Sequence, residues 1–447
     1  MMDDFDFWKP NGIPSLYPHL SDFFVKTSDQ HYAPLYFITN ITLFQSLHVP
    51  SLLYLANIVF LYLDSLALFY LVWQVSGDFI TAILTASFFC VHPMTAAILQ
   101  HLTLNNLLIA GFLMLVGLIG FYQYLTRPNT GFLYVLSILC LAVALFYHEG
   151  SMLFVFYAAS MAFILAKRGP KEIFKICLPF IAIEMVFFIL WFVLSKSRTL
   201  LSENNHSLHI FWDLPANYFH VSLWYISHLF QSQGVVFMYN TPAVTHVAFW
   251  NFLFLISLLC VFALISYFRK PLEIFALVWF LTGFLIAIPA FSSRPYNGFI
   301  FEPNWMFFSS MGFSLFLALM LQKLEGKIDR RLWIFLLPTI FMYFFVQTEK
   351  VNIINRTQFN FCENWLRNSP GNYIPATILA QEYYIPDRVP PSMEFFNSML
   401  SLLDIYLQHD YYDISLRLIT RLSSMQLSES QRKALQLREN IALYEKQ

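Results

Sequence analysis

Ten apolar runs dominate the chain, at 52–75, 79–99, 104–125, 131–147, 150–166, 173–195, 246–268, 271–291, 305–322 and 332–347. Runs of about 17–25 apolar residues are long enough to cross the hydrocarbon core of a bilayer. No water in that core can satisfy backbone N–H and C=O groups, so each run must close its own hydrogen bonds as a helix. The expected fold is therefore all-α, a polytopic transmembrane helical protein with about ten spans. Composition agrees. Apolar residues make up 58% and charged residues 12%, with a mean hydropathy of +0.57, whereas soluble domains carry about 25% charged residues. The 50 Phe and 24 Tyr suit lipid-facing and interfacial positions.

His92-Pro93 interrupts the second run, and a proline there kinks or ends a helix. The shorter segment 33–47 is expected to lie in the interface. Lys and Arg in the short loops orient the spans. One alternating set holds Arg127, Lys167, Arg168, Lys171, Arg269, Lys270, Lys323, Lys327, Arg330 and Arg331; the other holds Lys196, Arg198 and Arg294. Ten basic residues against three make the first set cytoplasmic and place both termini outside the cytoplasm. The 196–245 loop falls outside too, and its aromatic-rich stretch 216–231 suits a helix lying on the membrane. Compact loops and a short helical array point to a bacterial inner membrane, or to the ER membrane in a eukaryote. The sequons at Asn40 and Asn355 do not decide between them. Residues 1–12 are acidic and polar, and no cleavable signal peptide is expected.

Beyond residue 350 the composition turns mixed-polar, with proline-containing linkers at 369–376 and 386–391. The stretches 394–408 and 411–424 repeat apolar residues at three and four: Phe396, Met399, Leu402, Leu403 and Tyr406, then Ile414, Leu416, Leu418 and Leu422. Residues 431–445 repeat the pattern, which predicts stacked helical hairpins. Three regions follow: 1–51, an extracytoplasmic N-terminal loop with the interfacial segment; 52–347, the transmembrane core; and 348–447, a small extracytoplasmic helical-repeat domain.

Projected onto this topology, the polar motifs fall on one side. Asp3-Asp4-Phe5-Asp6, Gln30-His31-Tyr32, His92-Pro93, His148-Glu149-Gly150, Arg294 and Glu302-Pro303-Asn304-Trp305 are all extracytoplasmic. Singly, each has an ordinary reading. Asp3 and Asp4 are a solvated tail, His92 a helix end, Glu149 an aid to a helix N-terminus, and Arg294 with Glu302 a loop pair. Together they read as the lining of a cavity, since ionisable groups at helix ends of polytopic proteins usually face one. Asp64 and Glu184 lie within spans and are expected to bond neighbouring helices rather than mark an ion path. The scattered Cys90, Cys140, Cys177, Cys260 and Cys362 read as small buried hydrophobes. Nothing calls for a metal, and no basic patch suits nucleic acid.

In order and spacing these motifs resemble the GT-C superfamily of polyprenyl-phosphate-sugar glycosyltransferases, in particular its O-mannosyltransferase-like branch with C-terminal tetratricopeptide repeats. The similarity runs from Asp3 to about residue 424. Asp3-Asp4 with Asn11 is similar to the acidic first-loop motif, and His31-Tyr32-Ala33-Pro34-Leu35 to the Tyr-Arg-Pro-Leu element. Phe89-Cys90-Val91-His92-Pro93 resembles the helix-ending His-Pro. Glu302 to Trp305 and Ser310 to Phe313 resemble the late loop-and-helix motif, and Asn355 to Asn372 the junction into the repeats.

The resemblance implies a GT-C-like core and a lipid-linked sugar donor as the bound cosubstrate. Asp3 or Asp4 would act as general base on an acceptor hydroxyl of protein Ser/Thr or a glycan. His31, His92, His148, Glu149, Arg294, Glu302, Asn304 and Trp305 would contact donor phosphate or substrate, with Lys196 and Arg198 as further cations. Membrane lipids and a protein acceptor or partner at the C-terminal helices complete the expected partners. The chain departs from the family in three ways. It begins almost at the acidic motif, so either the start is truncated or the N-terminus is translocated without a leading helix. Ala33 replaces a basic residue, and Ala97, Asn105 and Leu107 stand where charges usually follow the His-Pro element. Those losses keep a second reading open, a catalytically inactive GT-C-fold scaffold in a glycan-assembly or secretion complex. A transporter using Asp64 and Glu184 is the third; no inverted repeat supports it.

Overall fold

The computed structural model describes residues 24, 32–47, 50–99, 104–127, 129–194, 207–230, 239–241, 247–268, 270–286, 299–301, 303–354, 356–368, 375, 379, 393–408 and 412–445. A helix occupies each of the ten apolar runs. The interfacial segment forms α1 (Pro34–Leu47). Then come α2 (Pro50–Ser76), α3 (Phe79–Val91), α4 (Pro93–Leu99), α5 (Asn105–Thr126) and α6 (Gly131–Tyr147). A 3-10 turn (Glu149–Leu153) leads into α7 (Phe154–Ser160), which runs on through a π-helical turn (Met161–Leu165). Next are α8 (Pro170–Leu194), α9 (Ser207–His228), α10 (Val247–Tyr267), α11 (Pro271–Thr282), α12 (Phe307–Glu325) and α13 (Arg330–Ile354). One short antiparallel pair, β1 (Tyr239–Thr241) and β2 (Phe299–Phe301), joins two loops in this otherwise helical architecture, with Tyr239 opposite Phe301.

Among the described residues five helices are long and apolar enough to cross a membrane: Tyr54–Ser76, Asn105–Thr126, Pro170–Leu194, Asn304–Glu325 and Arg331–Ile354. A sixth candidate is the pair α3–α4, bent by 55° at the His92-Pro93 interruption. Pro93 has no N–H to continue the ladder, and His92 takes an extended conformation (φ −69°, ψ 132°). Among the described residues four further apolar stretches, Gly131–Tyr147, Glu149–Leu165, Ala248–Val261 and Pro271–Ile286, are shorter. Gly131–Tyr147, at 17 residues, rises only about 26 Å at 1.5 Å per residue, short of a core of about 30 Å.

Burial sorts the helices. The spanning stretches of α12 and α5 are 78% and 67% buried and lie at the centre, whereas those of α8 and α13 are 17% buried. The outer helices present large apolar side chains outward, among them Met185, Val186 and Ile189 on α8 and Leu332, Ile334 and Phe335 on α13. That is the pattern of a lipid-facing shell. Aromatic rings fill the centre, with Phe180 packed on Phe121 and Phe154 at 5.5 and 5.1 Å and Tyr157 on Trp279 at 5.3 Å. The central pair α11–α12 approaches through small residues, as membrane helices do. A Cβ on Gly312 would lie 2.5 Å from the Phe280 nitrogen, and Ser309 Oγ donates to the Phe280 carbonyl.

Polar contacts tie the helix ends into two sets. At one end Asp78 caps α3 through the Thr81 N–H (2.7 Å) and accepts from Gln322 of α12 (2.5 Å). Lys323 meets Glu273 of α11 at 2.6 Å, and Arg168 donates to the Leu125 carbonyl at 3.0 Å. At the other end Asn105 donates to Asn40 (2.7 Å), Thr39 meets the Tyr147 hydroxyl (3.0 Å) and Thr348 donates to the Val91 carbonyl (2.8 Å).

The tail forms α14 (Gln358–Asn368), α15 (Met393–Gln408), α16 (Tyr412–Ser423) and α17 (Glu429–Glu445) around a core of its own. Trp365, Phe396, Met399, Leu403, Ile419 and Leu422 are buried in it. Arg438 of α17 clamps Asp404 of α15 with two bonds, at 2.8 and 2.7 Å. The face of α16 differs from the expected one. Ser415, Ile419 and Leu422 are buried while Leu416 and Leu418 are only half-buried, because 414, 416 and 418 alternate around a helix whereas 415, 419 and 422 share a side.

Candidate functional site

Three of the motifs meet at the end of the bundle where Asn40 and Asn105 pair. The first is the break between α3 and α4. His92 is 1% exposed there. Its Nδ1 accepts the Met94 N–H at 3.3 Å. With Nδ1 an acceptor, Nε2 carries the proton and donates to the Leu229 carbonyl at 3.0 Å. The ring sits beside Phe313 and Phe344, centroids 5.7 and 5.4 Å away. Both nitrogens are thus spent on main chain, and His92 fastens the bend to the end of α9. In this arrangement neither ring nitrogen is left over for a further partner.

The second motif is the turn after α6. His148 ends the helix in an extended conformation (φ −157°, ψ 129°), and its Nδ1 accepts the Gly150 N–H at 2.9 Å. A Cβ on Gly150 would come within 2.4 Å of Ile286 and 2.8 Å of Phe308, so the missing side chain lets this turn press onto α12. Glu149 is half-buried beside it. The third motif is the 3-10 turn Pro303–Met306, in which Asn304 is buried and Trp305 half-buried.

One helix links all three. The 3-10 turn runs straight into α12, whose Phe308 lies 6.3 Å from the His148 ring, and Phe313 one turn further meets His92. His92, His148, Glu149, Asn304 and Trp305 are therefore assembled around the start of α12. Asp3, Asp4, His31, Arg294 and Glu302 lie outside the described residues, as do Lys196, Arg198 and Asn355. Sequence reasoning missed Phe308, which packs beside His148; the signal was its place between the Asn304-Trp305 and Ser310–Phe313 motifs.

Asn105 gains meaning from its partner. Asn40 is fully buried and accepts from Asn105 at 2.7 Å, so α1 is held against α5 by an amide pair. The sequon at Asn40 is thereby closed to glycosylation in the folded chain. Asp64 departs from expectation. It is fully buried in α2, and neither carboxylate oxygen has a hydrogen-bond partner among the described residues, so it bonds no neighbouring helix there. It faces the Gly111 backbone, where a Cβ would lie 3.3 Å from Oδ1. Among the described residues no three His, Cys, Asp or Glu side chains gather to hold a metal ion.

No family model matches the chain, and no curated protein or solved structure is significantly similar to it.

Proposed function

We propose that the chain is an integral-membrane glycosyltransferase that moves a sugar from a polyprenyl-phosphate donor to a hydroxyl acceptor on the extracytoplasmic side. The observation that carries this reading is the gathering of the His92-Pro93, His148-Glu149 and Asn304-Trp305 motifs around the start of α12. They are far apart in sequence, and the first and last are among the motifs that carry the GT-C resemblance. Under this proposal all ten apolar helices cross the membrane, the end carrying Arg168 and Lys323 faces the cytoplasm, and both termini are extracytoplasmic. Helices α14 to α17 form a tetratricopeptide-like array. Its last helix leaves Leu437, Ile441 and Tyr444 exposed along one side, a surface suited to a protein acceptor or partner.

In the reaction a carboxylate of Asp3 or Asp4 takes the acceptor proton while the acceptor oxygen bonds the anomeric carbon. The bond from that carbon to the phosphate oxygen breaks, and the polyprenyl phosphate leaves with the electron pair. Arg294 and His31 are the groups proposed to stabilise its charge; His92 positions the helix break instead. Sugar transfer from a synthetic polyprenyl-phosphate sugar to an acceptor peptide or glycan, followed with the Asp3→Asn/Asp4→Asn variant, tests the assignment. Loss of transfer at unchanged membrane level is expected, and wild-type transfer overturns catalysis by these carboxylates.

One observation favours the second reading, an inactive scaffold of the same fold. Besides the engaged His92, the buried pair at Asn105 occupies a place where the resembling family carries charge. A scaffold predicts that deleting 350–447 dissolves a stable complex while sugar transfer is absent throughout.

A further inference from the structure

At the end of the bundle opposite the assembled motifs, a cavity of about 490 Å³ opens between the turn after α5 and the start of α8. Arg127, Asn129, Thr130, Arg168 and Glu172 supply its polar lining, and Tyr124 and Ile176 an apolar wall. Arg168 is fixed in place, one guanidinium nitrogen on the Leu125 carbonyl at 3.0 Å and another on Glu172 at 2.8 Å. Arg127 is exposed, and its guanidinium has no partner among the described residues. Among the described residues Glu172 is the one carboxylate in the lining and is already paired with Arg168, whereas Lys167, Lys171 and Lys175 add positive charge within the same two turns. Thr130 spends its hydroxyl on the carbonyls of Gln123 and Arg127 instead of capping α6. The first N–H groups of α6 therefore open toward this end.

We infer that this cavity is a binding site for the phosphate headgroup of an anionic phospholipid. The charge balance calls for an anion, and Arg presents donors matched to phosphate oxygens. Position selects a lipid. The cavity lies at the ends of α5 and α8, both long and apolar enough to span, and is therefore at the headgroup layer. Phe132 and Phe174, next to its rim residues, are 76% and 62% exposed and offer apolar surface for acyl chains. The inference is independent of the catalytic proposal.

The test uses the full chain purified in mild detergent, with thermal unfolding followed as each of three probes is titrated: phosphatidylglycerol, phosphatidylcholine and inorganic phosphate. Phosphatidylglycerol is expected to raise the unfolding temperature saturably and the other two are not. Arg127→Glu should shift half-saturation by about tenfold or more, and Arg127→Gln by less, with both unfolding as wild type when no lipid is added. Lys433→Glu, in the tail, should bind as wild type. Equal stabilisation by phosphatidylcholine, an unchanged titration in Arg127→Glu, or full stabilisation by inorganic phosphate alone would each overturn the lipid site.

Discussion

The ion pair between Glu273 and Lys323 should break asymmetrically. Glu273 lies in the first turn of α11 and Lys323 in the last turn of α12, each at the helix end whose dipole favours its charge. Their atoms are 2.6 Å apart, but the glutamate side chain is 2% exposed and the lysine 38%. Lys323 also stands 4.9 Å over the Phe268 ring. Replacing Lys323 by Met strands a carboxylate that cannot reach water, a loss of about 3–5 kcal/mol. Replacing Glu273 by Gln leaves a lysine that can swing into solvent, so the cost falls to that of one charged hydrogen bond, about 1.5–3 kcal/mol. The double variant Glu273→Gln/Lys323→Met should lie close to Glu273→Gln alone, because no stranded charge remains. Denaturant unfolding in mild detergent, read by Trp fluorescence, measures all four proteins; Trp279 is buried two turns further along α11. The reasoning fails if Lys323→Met is no more harmful than Glu273→Gln, or if the two effects add to within about 0.5 kcal/mol.

Three further outcomes are expected. Gly312→Ala should destabilise by about 1–3 kcal/mol, since its Cβ would meet the Phe280 backbone at 2.5 Å, whereas Gly326→Ala, with its nearest neighbour at 3.9 Å, should be near neutral in the same assay. Asn105→Leu should cost about 1–3 kcal/mol by orphaning the Asn40 side-chain oxygen, and Asn40→Leu/Asn105→Leu should cost less than the sum of the singles in a double-mutant cycle. Asp78 is held below the usual carboxylate range chiefly by the Thr81 hydroxyl, helped by the Thr81 N–H and Gln322. A depressed folded value means its contribution is present above the unfolded pKa of about 3.9 and is lost as pH falls through the folded one. Asp78→Ala should therefore cost about 1 kcal/mol near pH 7 through the lost cap, and its unfolding temperature should converge on wild type as the pH drops below about 4.

The apolar runs by themselves determined that this chain is helical, with several helices long and apolar enough to span a membrane, where its helices lie, and that the second breaks at His92-Pro93. These are consequences of local pattern: run length sets a helix against bilayer thickness, and a proline removes one N–H wherever it stands. The amphipathic tail was legible for the same reason in α15, though alternating residues misplaced the buried face of α16. Only the tertiary structure decided what the polar residues do. The sequence offers His92 as a cation, and the fold sets one nitrogen on the distant Leu229 carbonyl and the other on the nearby Met94 amide. It offers Asn40 as a glycosylation site, and the fold buries it against Asn105. Arg127 and Arg168 read as no more than orienting charges until the turns after α5 and α7 bring them to one cavity. Which partner a polar group finds depends on contacts between residues far apart along the chain, and run length and periodicity carry no information about those.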